Sequence, residues 1–233
     1  MSAAQLVLDL PHRPAWGRDV FYEAPANHAA LAFIERWPDW PQAAAVLVGP
    51  AGAGKTHLAA VWQQQAQARR LAAPDLSIPP GEAEAEAVPL LCDDAEAVLA
   101  QAGLGGEEAF FHLLNRIWHR RGALLMTARQ PPARWAVRLR DLASRLNALP
   151  VIEILPPDDS LLAVVMVKQL RDRQLEIEPA VVGYVLDRIE RSFAAVTTVV
   201  EELDRLALAE KRRITVPLAR RVLAGLAGHG DGR

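Results

Sequence analysis

Short, largely apolar runs alternate with longer segments of helical period over residues 20–157. Such runs are typical of parallel strands buried on both faces, and they occur at 44–48, 88–92, 123–127 and 151–155. Helical periodicity predicts helices around them at 27–36, capped by Asn27, and at 55–70, 95–102, 107–121 and 141–147. Strands that alternate with helices indicate an α/β fold, a parallel sheet covered on both faces.

The pattern changes after Pro157, where only helical periodicity continues. Helices are predicted at about 158–173, 179–190, 194–211 and 217–226. The weakly patterned segment 72–86 is predicted to be a loop with a short edge strand. We therefore expect three parts: a tail (1–19), an α/β domain (20–157) and a small all-helical domain (158–233).

A stripe of leucines lies almost at the start of the chain, at Leu6, Leu8 and Leu10, directly after Gln5. Alternation at every second position fits an edge strand on the protein's own sheet. It fits equally a short peptide that enters a pocket on another protein. The pattern alone leaves both interpretations open.

Composition narrows the class of protein. Apolar residues make up 51% of the 233-residue chain and charged residues 23%, which argues against wholesale disorder. The net charge of −2 gives no global basic field for nucleic-acid binding. The single cysteine, Cys92, excludes an internal disulfide, and no apolar run is long enough to span a membrane. A cytoplasmic protein is expected.

The clearest chemical motif lies between the first strand and the helix that follows it. It fits G-x-x-x-x-G-K-[ST], the P-loop pattern, and consists of Gly49, Pro50, Ala51, Gly52, Ala53, Gly54, Lys55 and Thr56. Its backbone N–H groups and the helix N-terminus, with His57 next in sequence, are predicted to surround nucleotide phosphates. Lys55 is expected at the β- and γ-phosphates, and Thr56 at Mg²⁺. The alternative is a glycine-rich turn that binds nothing.

Two carboxylates follow the second apolar strand. Asp93 is predicted to be the acidic partner of the metal, and Asp94 is a candidate for orienting the attacking water. Both aspartates could instead cap the next helix.

An arginine in the segment Leu139-Arg-Asp-Leu-Ala-Ser-Arg-Leu146 is a candidate for catalysis in a neighbouring molecule. Arg145 lies on a short predicted helix at the rim of the sheet, where an arginine finger could reach another molecule's phosphate. Arg134, Arg138 and Arg140 are close in sequence, and most arginines are simply solvated. The residues alone do not select Arg145.

In their order along the chain, these motifs resemble the AAA+ ATPase module of bacterial DnaA-type replication initiators. The resemblance covers about residues 20–226 and rests on the P-loop, the Asp-Asp strand, 107–115, the strand that ends at Thr127, Ala143-Ser-Arg-Leu146 and the all-helical lid. It implies a bound ADP or ATP with Mg²⁺, and it makes Arg145 an arginine finger. Initiators carry a further DNA-binding domain, whereas only 225–233 follow the lid here. No sequence-specific DNA binding is expected.

A module of this type behind a Gln-Leu peptide resembles, more narrowly, the Hda family of regulatory inactivators of DnaA. In that family the N-terminal peptide binds the DNA polymerase sliding clamp (β subunit). The resemblance implies that Gln5 supplies an amide contact and that Leu6, Leu8 and Leu10 are apolar anchors. It also implies DnaA as a partner whose bound ATP is hydrolysed, and a location at the replisome or nucleoid. Homo-oligomerisation stays open.

Two departures from the initiator pattern concern hydrolysis. Thr127-Ala-Arg-Gln-Pro-Pro132 stands where initiators have Thr-Ser-Asp-Arg-Pro-Pro, so the sensor-1 carboxylate is absent. The sensor-2 arginine falls near Ala195 or Thr197, and neither is arginine. We expect weak intrinsic hydrolysis and a nucleotide that acts as a structural switch.

Two rival functions are a helicase-loader-like ATPase acting on nucleic acid and a small-molecule P-loop kinase. The first needs an intact sensor pair and a basic groove. The second needs an acceptor pocket and leaves the helical lid without a purpose. Val20 and Phe21 are candidates for contacting the adenine.

Overall fold

A computed structural model describes residues 21–73, 88–120, 122–210 and 213–230. Its sheet has five parallel strands in the order β2-β3-β4-β1-β5. The strands are β1 (Ala44–Val48), β2 (Arg69–Arg70), β3 (Leu90–Cys92), β4 (Leu124–Ala128) and β5 (Val151–Glu153). The predicted α/β class with a parallel sheet is confirmed.

One helix precedes the first of these strands and three more lie between strands. They are α1 (His28–Glu35), α2 (Lys55–Ala66), α3 (Ala95–Arg120) and α4 (Arg140–Asn147), with a 3-10 turn at Pro132–Arg134. Gly103 interrupts α3 with φ +65° and ψ −162°, a conformation that favours glycine. The interruption divides α3 where the sequence predicts a gap between two helices.

The interior strand β1, between β4 and β5, contributes side chains to both faces of the sheet, and all five of its residues are buried. Val46 and its same-face neighbours pack in one hydrophobic cluster with α3 and α4. Leu47 packs in the opposite cluster with α1 and α2. Helices cover both faces of the sheet, so a ligand can bind only at an edge. The P-loop follows the carboxyl end of β1, which is the usual position for a ligand in a parallel sheet.

The remaining helices are α5 (Asp159–Asp172), α6 (Pro179–Leu186), α7 (Phe193–Glu210) and α8 (Val216–Gly230). They share a third hydrophobic cluster built from residues of all four helices. Asp158 caps α5, since its Oδ1 accepts the N–H of Leu161 at 2.8 Å. Within the described part of the chain after β5, helices are the only regular elements, as the sequence predicts.

Three local expectations are wrong. The helix predicted at 55–70 ends at Ala66, because Gln67 has a left-handed backbone (φ +51°) and Arg69–Arg70 form the edge strand β2. Asn27 is the N-cap residue of α1, but its side chain makes no capping bond; it bonds Ala24 N–H and the Tyr22 carbonyl and so braces the preceding turn. Helix α6 ends at Leu186, before the predicted 190.

Several expectations lie outside the described residues. Gln5, Leu6, Leu8, Leu10 and Val20 all belong to the undescribed first twenty positions, and most of the predicted loop at 72–86 is likewise undescribed. None of the helices in the described ranges is long and apolar enough to cross a membrane.

Candidate nucleotide-binding site

The P-loop (49–56) has the tight backbone that its glycines predict. Gly52 and Gly54 have φ values of +69° and +94°, which side chains rarely tolerate. A Cβ on Gly49 would lie 2.3 Å from the carbonyl oxygen of Ile154, so the loop also runs against the chain leaving β5. Helix α2 begins at Lys55, so the last two residues of the P-loop form the first turn of the helix. The free N–H groups of the helix N-terminus therefore belong to the loop.

Lys55 folds back onto this loop. Its Nζ donates to the carbonyl oxygens of Gly49 (2.8 Å) and Pro50 (2.7 Å). Partial burial and the nearby positive charge of Arg129 lower the pKa of Lys55, while Asp94 and Asp93 oppose that shift. The ammonium group is thus held at the loop, where phosphate oxygens can replace the two carbonyl acceptors.

Asp93 is the centre of the hydrogen-bond network beside the P-loop. Its Oδ1 accepts from the hydroxyls of Thr127 (2.6 Å) and Thr56 (3.2 Å), and its Oδ2 accepts from Arg70 Nη2 (2.6 Å). The pairing of Cys92 with Met126 in the sheet places the residues that follow, Asp93 and Thr127, side by side. The structure brings together the two predicted metal ligands, Thr56 and Asp93, and adds two partners that the sequence did not reveal.

Asp94 lies at the start of α3 with a left-handed backbone (φ +54°). Its N–H donates to Thr127 Oγ1 (2.9 Å) and its carbonyl accepts from Val98 (3.0 Å), so its backbone begins the helix. Its side chain is exposed, and its negative charge acts on Lys55. Only backbone groups of Asp94 take part in these helix-starting bonds, and a role of its carboxylate in orienting the attacking water stays a prediction.

The helical domain contacts the P-loop through Ser192 and Phe193. Phe193 N–H donates to the Gly52 carbonyl (3.0 Å), and a Cβ on Gly52 would lie 2.4 Å from Ser192 Cβ. The Phe193 ring lies over Gly54, 3.3 Å from where a Cβ would be. Ser192 is buried and caps α7 by accepting the N–H of Ala195. Sequence reasoning missed both residues, although a serine before a helical run is a capping signal.

The two sensor positions lack the carboxylate and the arginine that the initiator pattern has there. Thr197 bonds within the helical domain, donating to the Phe193 carbonyl and accepting from Gln169. Arg129, where initiators have a carboxylate, is exposed after β4, and its charge acts on Lys55. This corner of the site is therefore positive where the family pattern expects negative charge.

Phe21, a candidate for adenine contact, lies at the edge of the P-loop. Its ring packs edge-to-face on His57 with centroids 5.3 Å apart, and it is 8% exposed. The same ring lies 4.0 Å from a Cβ built on Gly54. The structure thus brings Phe21 and His57 to the loop's margin.

Arg145 lies on α4, on the opposite side of the sheet from α2. Its guanidinium lies over the rings of Phe111 (4.9 Å to the centroid) and Trp118 (5.1 Å), both on α3. Leu142 and Leu146 anchor the buried face of α4 in the core. The aromatic pair therefore fixes the direction of the Arg145 side chain.

Glu107 secures the segment that leads into α4. This carboxylate is only 4% exposed, and its Oε2 accepts the N–H groups of Arg138 (3.0 Å) and Leu139 (2.7 Å). Leu139 directly precedes α4. A buried acid in the motif 107–115 thus positions the helix that carries Arg145.

Comparisons with known proteins agree with this architecture. Residues 159–223 match the family model described as Hda, lid domain. Domain III of Thermotoga maritima DnaA superposes with a TM-score of 0.76 at 18% identity, covering 93% of this chain and 98% of that one. AMPPCP-bound DnaA from Aquifex aeolicus gives 0.69 at 19% identity, covering 84% and 66%. The Thermotoga maritima RuvB Holliday junction branch migration motor gives 0.62 at 16% identity, covering 86% and 67%.

The structural matches establish the fold, and the family model identifies the type of helical domain. Both agree with the resemblance that the motifs indicate. The chain has the fold of DnaA domain III, and residues 159–223 within it match the Hda lid domain.

Proposed function

We propose that this protein is a regulator of replication initiation that holds an adenine nucleotide and presents Arg145 to the nucleotide bound by DnaA. Hydrolysis of the DnaA-bound ATP would leave the initiator inactive. The N-terminal peptide, Gln5 to Leu10, would tether the protein to the DNA sliding clamp. The observation that carries the proposal is Arg145 itself, held on α4 away from its own P-loop helix, in a chain with an Hda-type lid.

Nucleotide binding is supported by the P-loop geometry. Lys55, the α2 N-terminus and the glycines at 52 and 54 form one concave surface, and a structural neighbour is described as DnaA bound to AMPPCP. The carboxylate and hydroxyl oxygens of Asp93 and Thr56 are hard ligands of the kind that Mg²⁺ prefers, and they are hydrogen-bonded to each other. Mg²⁺ bound there would neutralise phosphate charge, but it would compete with Arg70 for the Asp93 carboxylate.

Weak intrinsic hydrolysis is supported by the charges at the sensor positions. Arg129 replaces a carboxylate, and Ala195 and Thr197 bring no cation to the phosphates. A transferred phosphoryl group needs cations beside its negatively charged equatorial oxygens and an oriented nucleophile. The protein's own nucleotide therefore serves to hold the P-loop and lid together.

Action in trans is supported by the location of Arg145. Helix α4 packs in the α3 cluster, whereas α2 packs in the cluster on the other face of the sheet. An arginine supplied by a neighbour can raise phosphoryl-transfer rates by about 10³–10⁵ in the GTPase examples. Arg145 is half-buried among aromatic rings, so docking needs little further ordering of its side chain.

The test is ATP turnover by purified DnaA preloaded with labelled ATP. We expect this protein, together with clamp-loaded DNA, to convert DnaA-bound ATP to ADP, and to do so far less when the clamp is omitted. Unchanged turnover with all components present would reject the regulator function. If the protein hydrolysed free labelled ATP equally fast in a parallel reaction without DnaA, this chain itself would be the ATPase.

A further inference from the structure

Three cationic side chains from separate parts of the chain gather around the two carboxylates that follow β3. Arg70 bonds Asp93 directly; Lys55 directly precedes Thr56 and Arg129 follows Thr127 by two residues, and both threonine hydroxyls donate to Asp93. Three positive and two negative charges leave a formal charge of +1 at the phosphate site. This surplus belongs to the protein and requires no metal ion.

Arg70 reaches Asp93 because of the sheet register. Arg70 pairs with Leu91 on β3, and the next amide, Leu71 N–H, donates to the Leu91 carbonyl (2.8 Å). The two arginines of β2 point to opposite faces of the sheet, since side chains alternate along a strand. Arg70 therefore lies on the face of the sheet where its guanidinium reaches Asp93, at the end of β3. Arg69 lies on the opposite face.

Both oxygens of the Asp93 carboxylate are already engaged by protein donors. Oδ1 accepts from Thr127 and Thr56, while Oδ2 accepts from Arg70 at 2.6 Å. The side chain of Asp93 is 21% exposed and that of Arg70 is 56% exposed, so solvent screens the pair from the arginine side only in part. Mg²⁺ loses its hydration waters reluctantly and demands regular geometry. A carboxylate already neutralised by arginine attracts such an ion much less.

We propose that this site binds a nucleoside diphosphate without requiring Mg²⁺, because Arg70 occupies Asp93 while Lys55 and Arg129 supply the charge that the phosphates need. Phosphate oxygens accept charge-assisted hydrogen bonds from lysine and arginine, and these are stronger than neutral ones. The inference rests on the proposed nucleotide binding and specifies how that same site neutralises its ligand.

The experiment is calorimetric titration of the full-length protein with ADP, in excess Mg²⁺ and in excess EDTA at equal ionic strength. We expect the dissociation constant of the wild-type protein to differ by less than about fivefold between the two buffers. Arg70→Ala frees Asp93, so its ADP affinity should become more than about fivefold tighter in Mg²⁺ than in EDTA. Arg69→Ala, changed on the same strand but on the opposite face, should behave like the wild type.

Arg129→Ala provides an independent arm. Its ADP affinity in EDTA should fall by about tenfold or more, because the phosphates lose one of their cations. Arg70→Gln, which keeps hydrogen-bond donors without the charge, should show the same gain of Mg²⁺ dependence as Arg70→Ala. Thermal melts of the ligand-free variants verify that each is folded.

Two results would overturn the inference while leaving nucleotide binding intact. One is a wild-type protein whose ADP affinity falls more than about fivefold in EDTA; the other is an Arg70→Ala protein with the wild-type response to Mg²⁺. A wild-type protein that binds ADP in neither buffer would overturn the proposed nucleotide site as well. The two failures are therefore distinguishable.

Discussion

The backbone N–H of Phe193 donates a hydrogen bond to the carbonyl oxygen of Gly52 over 3.0 Å, and this bond joins the start of the lid helix α7 to the P-loop. Ser192, beside it, fills the space that a side chain on Gly52 would need. Lid and P-loop are thus packed together at the point where the phosphates are expected. A ligand that orders the P-loop should therefore order the lid as well.

Gly52→Ala should destabilise the protein and weaken nucleotide binding. The new Cβ would lie 2.4 Å from Ser192 Cβ, and φ of +69° disfavours any side chain. A strained backbone of this kind costs about 1–3 kcal/mol, to which the clash adds. Chemical denaturation measures the change in the free energy of unfolding.

Gly183→Ala is the matched control for that substitution. Gly183 lies within α6, and a Cβ there would meet nothing within 4 Å. Alanine should stabilise this helix by up to about 1 kcal/mol. Equal effects of the two substitutions would contradict the contact between lid and P-loop as the source of the Gly52 effect.

Lys55→Ala should abolish nucleotide binding, and with it the stabilisation of the folded protein by bound nucleotide. The ammonium group at the P-loop carbonyls is the nearest cation for the β-phosphate. A ligand that binds only the native state stabilises it by about 2.7 kcal/mol at a hundredfold excess over the dissociation constant. Thermal melts with and without ADP check this, and a ligand-induced shift that survives the substitution would remove the P-loop from the account.

Glu107→Ala should destabilise the segment that positions Arg145. The substitution leaves the partly buried N–H groups of Arg138 and Leu139 without their acceptor, at up to about 1–3 kcal/mol for each unsatisfied group. Glu107→Gln keeps an acceptor oxygen and should cost less. Chemical denaturation of both variants, with exposed Glu108→Ala as control, measures this; equal stability of all three would refute the anchoring role.

The N-terminal peptide should bind the sliding clamp as an isolated segment. Each leucine buried in a pocket gains about 1.5–3 kcal/mol, offset by ordering the peptide, so we expect roughly micromolar affinity. Replacing Gln5, Leu6 and Leu8 by alanine should remove clamp binding in a sedimentation or calorimetric assay, with melting temperature and ADP binding unchanged. Loss of folding in this variant would favour the edge-strand interpretation instead.

The sequence predicted the parts of the fold that depend on local pattern. Apolar runs identified four of the five strands, because strands buried on both faces are apolar throughout. Strand β2 was missed because Arg69 and Arg70 continue a polar, helix-compatible segment, and the left-handed Gln67 ends α2 without a glycine to announce it.

The candidate site was predictable only where a motif defines it. The pairing of Thr56 with Asp93 follows from the P-loop and from the strand that ends in aspartate. The contacts of Arg70 with Asp93 and of Phe193 with Gly52 join residues far apart in sequence, and each depends on a register or a domain contact that no local pattern carries. Glu107 appeared in a motif without a role until its buried acceptor contacts were visible.

The most direct test of the account is the effect of Arg145→Ala on hydrolysis of DnaA-bound ATP in the presence of clamp-loaded DNA. The substitution removes the cation–π contacts of Arg145 with Phe111 and Trp118. Such a contact contributes about 0.5–1 kcal/mol at an accessible site, so folding and ADP binding should stay near normal. Stimulation should be lost, because charge developing on the transferred phosphate loses its cationic partner. Exposed Arg138→Ala and Arg140→Ala are the matched controls and should retain most of it. Full stimulation by the Arg145 variant would contradict the mechanism.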